Sequence, residues 1–507
     1  MARSKTSSFI TEIPLIVDSQ QEKELLSRFQ AGRQLYNACL NEAEVRMNLV
    51  RNSEAYQEAK KIPITQKKKR TEAFAVARQA YRFSEYELHA FATITSNNSK
   101  WIAKKIDSNT QQAIATRAFK AVEKVLFGKA KKVRYKVPSR FRSLEGKTNF
   151  QGIRWKEDQF VWCDLVIKPL IDWMNPVILH GLNSRIKYVR ILWREINGVR
   201  RWYAQLVNEG IPFQKPKNYI YDGVVGIDLN ISNIAFVADS EAGLLPNACG
   251  VPTFEKEIKT LQRQMDRSRR ANNPDNYHPD FEGKKGRKTI RKKGTSKKGR
   301  RKWNNSKRYL KLSQNRRELE RRKTTYAKSQ NRKIVNEILR HGKHIKTENV
   351  SVKGWQKRYG KAIAAKSPSF VQSELKRKAE NAGGSFTKFS TQKTALSQIH
   401  LSGNRIKKTL SQRVHHDETG IVMHRDLFSA YLSRYVNDDV LSLQDAVEQY
   451  PGAEPFLEEA WKRYQQTAKR VGESESGQCH SPLERFSQKL GTVNQIAIDG
   501  RKFNFNS

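Results

Sequence analysis

The chain has 507 residues, of which 96 are Lys or Arg and 50 are Asp or Glu, a formal charge of +46. At roughly 150 residues per domain that length suggests about three domains. The basic excess runs through the whole chain rather than along one amphipathic helix, which points to nucleic acid as partner rather than a membrane surface. No apolar run long enough to span a bilayer occurs, and Glu12 and Asp18 interrupt the only hydrophobic stretch behind Met1, so neither a membrane segment nor a signal peptide is expected. The expected location is the cytoplasm, at the nucleoid.

Residues 23–130 read as helical, since Tyr36, Leu40, Ala43 and Met47 recur at helical spacing, as do Ile114, Ala118, Ala121 and Val125. Ser108 with Gln111 three residues later has the form of a capping box at the start of the second series. The aromatic residues between them, Tyr81, Phe83, Tyr86 and Phe91, are expected in the core rather than as base-stacking platforms. From about Phe150 short alternating strands take over, with Val189, Ile191 and Trp193 on one face and Asn197-Gly198 marking a hairpin. These strands predict a small β-barrel over residues 1–22 and 131–220, into which the helices are inserted.

Residues 221–436 read as an α/β domain with a basic helical insertion at 254–340. The insertion starts as a helix, breaks at Asn272-Asn273-Pro274, and then carries twelve Lys or Arg among the nineteen residues from Lys284 to Lys302, with no acid. Such a stretch is expected to be a flexible arm until it meets phosphate, with Lys284, Lys285, Arg287, Lys288, Arg291, Lys292 and Lys293 as contacts. A helix follows in which Arg316, Arg317, Arg321 and Arg322 are further candidates for phosphate. Residues 437–507 predict a last helix and a disordered tail. The four cysteines, Cys39, Cys163, Cys249 and Cys479, form no C-x-x-C pair, so neither a disulfide framework nor a thiolate zinc site is expected.

Three acids sit where acids are costly. Asp228 lies in the apolar strand Val224-Val225-Gly226-Ile227-Asp228-Leu229, Glu348 ends the short strand Ile345-Lys346-Thr347-Glu348, and Asp426 stands near the start of an amphipathic helix. Taken singly, each has an ordinary reading: Asp228 can cap a turn, Glu348 can pair with Lys346 or Lys353, and Asp426 can N-cap its helix. Convergent, they would repel unless hard divalent cations neutralise them, and a pair of Mg²⁺ or Mn²⁺ ions held by such acids hydrolyses phosphodiesters.

The settings of these acids resemble the RuvC-like nuclease domain of the TnpB family of insertion-sequence nucleases. The residues that carry the likeness are Val225-Gly226-Ile227-Asp228-Leu229-Asn230 with Asn233, then Thr347-Glu348-Asn349-Val350, then Arg425-Asp426 with Ala430. Pro138-Ser139-Arg140-Phe141 and Ser367-Pro368-Ser369-Phe370 follow the family's order too, so the likeness reaches to about residue 436. The resemblance implies an α+β multidomain protein: a wedge-type β-barrel with an inserted helical recognition lobe, then an RNase H-like (RuvC) domain. It further implies Asp228, Glu348 and Asp426 as the Mg²⁺-binding catalytic triad, a guide RNA from the transposon end, and a double-stranded DNA target cut by RNA-guided endonuclease action.

Two departures stand out. The family's zinc ribbon should fall at residues 394–423, yet no cysteine is present there and only His400, His415 and His416 lie near ligand positions. No structural zinc is expected, with hydrogen bonds and packing holding the loop instead. The family's Asn two residues after the last acid is replaced by Phe428. Besides an active nuclease, the sequence therefore allows a cleavage-impaired RNA-guided DNA-binding regulator, or a general nucleic-acid-binding protein explained by charge alone.

Overall fold

The computed structural model describes residues 6–247, 251–286, 288–299, 301–409 and 412–472. Arg287 and the tail expected to be disordered lie outside the described residues. The chain is a mixed α/β protein that divides into two compact units, Met1–Gln214 and Lys215–Ser507.

In the first unit, β1 (Ser8–Leu15) leads into the long helix α1 (Ser19–Asn52), whose N-cap Asp18 accepts the Gln20 and Gln21 amides while the Gln21 side chain accepts the Asp18 amide. Four helices follow: α2 (Glu54–Lys61), α3 (Lys67–Ala80), α4 (Glu85–Ser99) and α5 (Trp101–Lys105); α6 (Ser108–Leu126) closes the set. The cap of α6 is Asp107, not Ser108: its Oδ1 accepts the Thr110 amide at 2.9 Å and its Oδ2 accepts the Thr110 hydroxyl at 2.7 Å. A carboxylate one residue earlier outcompetes the weaker serine acceptor. Of the aromatic series, Phe83 is core, Tyr81 and Phe91 pack against it, and Tyr86 is 82% exposed.

The strands β2 (Ser143–Glu145), β3 (Ile153–Lys156), β4 (Gln159–Trp162) and β5 (Leu165–Ile167), the helix α7 (Pro176–Leu182), and the strands β6 (Ile186–Ile196) and β7 (Val199–Glu209) complete the unit. They form two antiparallel sheets, ordered β1-β7-β6-β2 and β3-β4-β5. A bridge between Leu15 and Pro169, flanked by the bonds Ile16 N–H to Lys168 O and Leu170 N–H to Pro14 O, ties them at one edge. No ladder joins β2 to β3 among the described residues, so the two sheets are tied at one edge and closure of the predicted barrel is not shown. The hairpin between β6 and β7 turns on Asn197 and Gly198, both at positive φ (49° and 80°), as its Asn-Gly sequence requires. Helices and sheets share one core: Phe29 of α1 meets Trp202 of β7 edge-on at 5.3 Å.

The second unit is built on a five-stranded sheet, ordered β10-β9-β8-β13-β14. Here β8 (Val224–Leu229), β9 (Asn233–Val237) and β10 (Ala242–Pro246) form an antiparallel meander. Between β10 and β13 lie α8 (Glu255–Ala271), the hairpin β11 (Phe281–Lys285) and β12 (Lys288–Lys292), and α9 (Lys307–Leu339). Then β13 (His344–Glu348) runs parallel to β8; α10 (Val352–Lys366) and α11 (Pro368–Asn381) lead to β14 (Ser385–Phe389), parallel to β13. The short α12 (Thr391–Thr394), the pair β15 (Val414–His416) and β16 (Val422–His424), α13 (Arg425–Ser433), the pair β17 (Val436–Asn437) and β18 (Val440–Leu441), and α14 (Leu443–Gly472) end the described chain.

Side chains alternate across this sheet, as the period of two demands. Val225, Ile227, Ile234, Phe236 and Ile345 face α9 and α11 in one core. Ala235, Val237 and Leu244 face α13 and α14 in another. The second face also carries Gly226 and Asp228, because Val237 and Ala235 are their cross-strand partners.

The arm expected to be flexible is ordered where it is described. β11 and β12 pair from Phe281↔Lys292 to Lys285↔Lys288, and the Gly294 amide is held by Asp280 Oδ1 at 3.0 Å. Backbone pairing and side-chain anchors on the preceding turn supply the order that apolar burial does not.

Candidate active site

Asp228 and Glu348 stand side by side because β8 and β13 are parallel neighbours: the register pairs Lys346 with Gly226 and Thr347 with Ile227, and the next step brings Glu348 beside Asp228. Asp426 comes to them from above. α13 crosses β8 at Gly226, where a Cβ would fall 2.1 Å from the Ala430 carbonyl oxygen, so only glycine admits the helix. Gly226 and Asp228 share a sheet face two residues apart; Ala430 and Asp426 share a helix face one turn apart. The helix that rests on Gly226 through Ala430 thereby aims Asp426 at Asp228. Every residue of α13 is buried, so the amphipathic helix expected from sequence is enclosed on all sides.

The electrostatics record this convergence. The Asp228 carboxyl titrates well above the usual range because burial and the charges of Asp426 and Glu348 disfavour its ionised form, against the Asn230 amide, whose Nδ2 donates to Oδ2 at 3.1 Å, and the Arg425 charge. Burial raises Glu348 to about 7, against one donated bond from the Leu396 amide. Asp426 is 1% exposed, and its Oδ2 is buried without a hydrogen-bond partner. Its nearest cations, Arg425 Nε at 3.7 Å and Arg413 Nη1 at 3.8 Å, stand beyond hydrogen-bond distance. The helix start is capped by His424, whose Nδ1 accepts the Asp426 amide at 3.2 Å, leaving the Asp426 side chain free of the capping role that sequence allowed it.

A buried, unpartnered carboxylate oxygen beside two carboxyls held from ionising fits a divalent cation's donor set. Among the described residues, the group whose ligand atoms all lie within 4.8 Å of one another is His400, His415 and Asp417. Sequence reasoning passed over Asn230, Arg413, Arg425 and His424 as site residues, although three of them stand within two positions of an acid already chosen.

His400, His415 and Asp417 occupy the region where a ribbon was expected. His415 Nε2 meets Asp417 Oδ2 at 2.9 Å, Lys408 Nζ meets His415 Nδ1, and the Glu418 amide donates to His400 Nδ1 at 3.1 Å. Asp417 also accepts the Leu401 and Thr419 amides and the Thr419 hydroxyl. Burial would raise the Asp417 carboxyl, but these bonds outweigh it and hold it low; burial drives His415 down to about 4, with Lys408 adding to the effect. The ring of Phe428 stacks on His415, centroids 4.0 Å apart and planes at 20°. The two departures from the family's pattern are thus in contact.

The basic candidates fall on the insertion. Lys284, Lys285, Lys288, Arg291 and Lys292 lie on the β11–β12 hairpin, with Lys293 just beyond it. Arg291 is exposed and 3.7 Å from Asp280. On α9, Arg316 pairs with Glu320 at 2.9 Å, Arg321 and Arg322 both pair with Glu318, and Arg317 Nε donates to the Ser313 carbonyl. That helix mixes signs along its face more than its arginine count suggested. No described helix is long and apolar enough to cross a membrane.

No protein-family model matches the chain, and no curated protein matches it in sequence. Solved structures similar to it include a Cas12f1–sgRNA–target DNA complex, at 9% identity and a TM-score of 0.37 over 85% of this chain and 98% of that one. A CRISPR-Cas12f ternary complex follows at 10% identity and a TM-score of 0.25, covering 81% of each chain. A Cas12i1 R-loop complex before target DNA cleavage matches at 10% identity and a TM-score of 0.25, over 74% of this chain and 58% of that one. With likenesses this distant, the functional reading rests on the residues of the site.

Proposed function

We propose that the chain is a divalent-metal-dependent nuclease whose catalytic residues are Asp228, Glu348 and Asp426, acting on DNA selected by a bound guide RNA as the TnpB resemblance implies. The observation that carries the reading is the convergence of the three acids, with Asp426 Oδ2 buried and unpartnered. The strand order of the second unit, a three-stranded meander followed by two strands parallel to its first, is what an RNase H-like domain calls for. The +46 charge suits a polyanionic substrate.

Asp228, Glu348 and Asp426 would hold Mg²⁺ or Mn²⁺, which when bound supplies a Lewis acid for the phosphoryl oxygen and lowers the pKa of the attacking water. The chain's own part is to place these carboxylates on rigid elements and, at Asp228 and Glu348, to disfavour the ionised form until the cation arrives. Asn230 fixes the Asp228 carboxylate through its 3.1 Å bond. Arg425 and Arg413 place positive charge close to Asp426 without capping it. In the reaction the water oxygen bonds to phosphorus, its proton leaves to solvent, and the 3′ oxygen departs and takes up a proton.

The test is to purify the protein with its co-expressed RNA, supply a library of duplex targets with Mg²⁺, and compare with Asp228→Ala. Cleavage by the parent and none by the variant supports the nuclease. Binding without cleavage in both would leave the guided DNA-binding regulator as the reading.

A further inference from the structure

The basic insertion forms an open pocket of about 500 Å³ between α8, α9 and the strand-like segments that cross between them. Its wall combines the rings of Tyr277, Trp303 and Tyr309 with the guanidinium groups of Arg269, Arg270 and Arg316. Asp266, bonded to Arg270 Nε at 2.8 Å, is the only acid among the lining residues, and just outside the wall Glu320 holds Arg316 Nε at 2.9 Å.

Arg269 is the telling residue. Its guanidinium lies 4.4 Å from the Trp303 ring and 4.9 Å from the Tyr309 ring, and its Nε is buried without a hydrogen-bond partner. Aromatic contact holds the fork in place through its faces, which leaves hydrogen-bonding directions in its plane for an anion. Arg270 stacks on Tyr277 at 4.3 Å in the same way, and its Nη1 donates to the Gly294 carbonyl.

The walls are pinned by polar bonds in a region with little apolar core. Asn273 Nδ2 donates to the Arg269 and Asn304 carbonyls and its Oδ1 accepts the Asn304 amide at 2.7 Å. Asn276 Nδ2 donates to the Lys302 carbonyl, and Ser268 and Ser306 bond across α8 and α9. Tyr277 bridges Ser296. A cavity fixed in this manner is preorganised for a ligand rather than left over by poor packing.

We propose that this cavity receives one unstacked nucleotide of a nucleic acid single strand, its phosphate at the edges of Arg269 and Arg316 and its base against the aromatic wall. The size lies in the range of about 300–1,000 Å³ typical of small-molecule sites. Aromatic rings and arginine planes are the surfaces on which unpaired bases stack, whereas a duplex keeps its base faces covered. The inference rests on the nucleic-acid reading above but not on the three carboxylates.

The full-length protein is irradiated with a 15-nucleotide RNA carrying 4-thiouridine, with a DNA of the same length carrying 4-thiothymidine, and with that DNA annealed to its complement; cross-linked peptides are then mapped. Labelling of the peptide containing Tyr277, Trp303 or Tyr309 is expected from a single strand and not from the duplex, and the strand that labels identifies the source. Arg316→Gln, at a side chain not sandwiched in the wall, should weaken affinity for that strand about tenfold and lower the label in proportion, with unchanged circular dichroism. Trp303→Phe, which keeps a ring, should retain the label. Label confined to other peptides, equal label from the duplex, or an Arg316→Gln protein that labels like the parent would each overturn the proposal. Asp228→Ala should label normally, so a failure of cutting and a failure of the pocket are read separately.

Discussion

Gly226 lies directly beneath Ala430: a Cβ on the strand residue would stand 2.1 Å from the helix residue's carbonyl oxygen. The two bear no functional group, yet their contact sets the height of α13 over β8 and with it the distance from Asp426 to Asp228. Gly226→Ala is therefore expected to lift the helix, destabilise the protein by about 1–3 kcal/mol, and abolish metal-dependent cutting while all three acids remain. Thermal unfolding and a cleavage assay at matched folding would check this. An unchanged melting point would show that the contact does not position the helix.

Glu348 carries a pH signature. Its folded pKa, raised by burial to about 7, lies above the unfolded value of 4.5, so the native state binds more protons between those values and stability falls as pH rises through that window. Asp228, also raised, pulls the same way. Without divalent cation, Glu348→Gln should be more stable than the parent at pH 8 by on the order of 1–2 kcal/mol and show no gain at pH 4. Denaturant titrations in EDTA at the two pH values measure it.

Cation binding must displace those protons. Mg²⁺ affinity should rise with pH through about 7, since protons and cations compete for the same carboxylates. Calorimetric titration from pH 5.5 to 8.5 tests this, and a flat profile would place the cation elsewhere.

The loop at residues 394–423 should hold without zinc. Asp417 accepts from His415, the Leu401 amide, the Thr419 amide and the Thr419 hydroxyl, so Asp417→Ala orphans several buried donors and should cost about 3 kcal/mol. A zinc chelator, by contrast, should leave the melting temperature unchanged. His415 sharpens the test: burial depresses its folded pKa to about 4, so the stability it contributes is present above the ordinary histidine value and is lost as pH falls from about 6.5 toward 4.

Exposed charge on the insertion should set the salt dependence of binding. Neutralising Lys293, Lys297 and Lys298 together is expected to weaken nucleic acid binding and reduce the slope of log affinity against log salt by about 0.7–0.9 for each phosphate these lysines had neutralised. Identical slopes for variant and parent would remove these lysines from the interface.

What the sequence made legible follows from where the physics is local. Alternation and helical spacing placed the elements around Asp228, Glu348 and Asp426, and the Asn197-Gly198 turn declared itself, because these depend on neighbours in the chain. Barrel closure did not follow, since it depends on whether β2 meets β3, a pairing no local pattern encodes. The order of the basic hairpin was hidden for a similar reason: Asp280, Asn273 and Asn276 hold it through bonds to backbone 14 to 31 residues away. The packing of Phe428 on His415 was equally invisible, although each was noticed alone as an oddity.

The central claim is that Asp228, Glu348 and Asp426 together hold divalent cations. Crystals of the full-length protein soaked in Mn²⁺ at pH 8 and measured for anomalous scattering address it directly. Anomalous density touching Asp228 and Asp426, and absent in Asp426→Asn, is the expected result; density at saturating Mn²⁺ that avoids all three carboxylates would contradict the account.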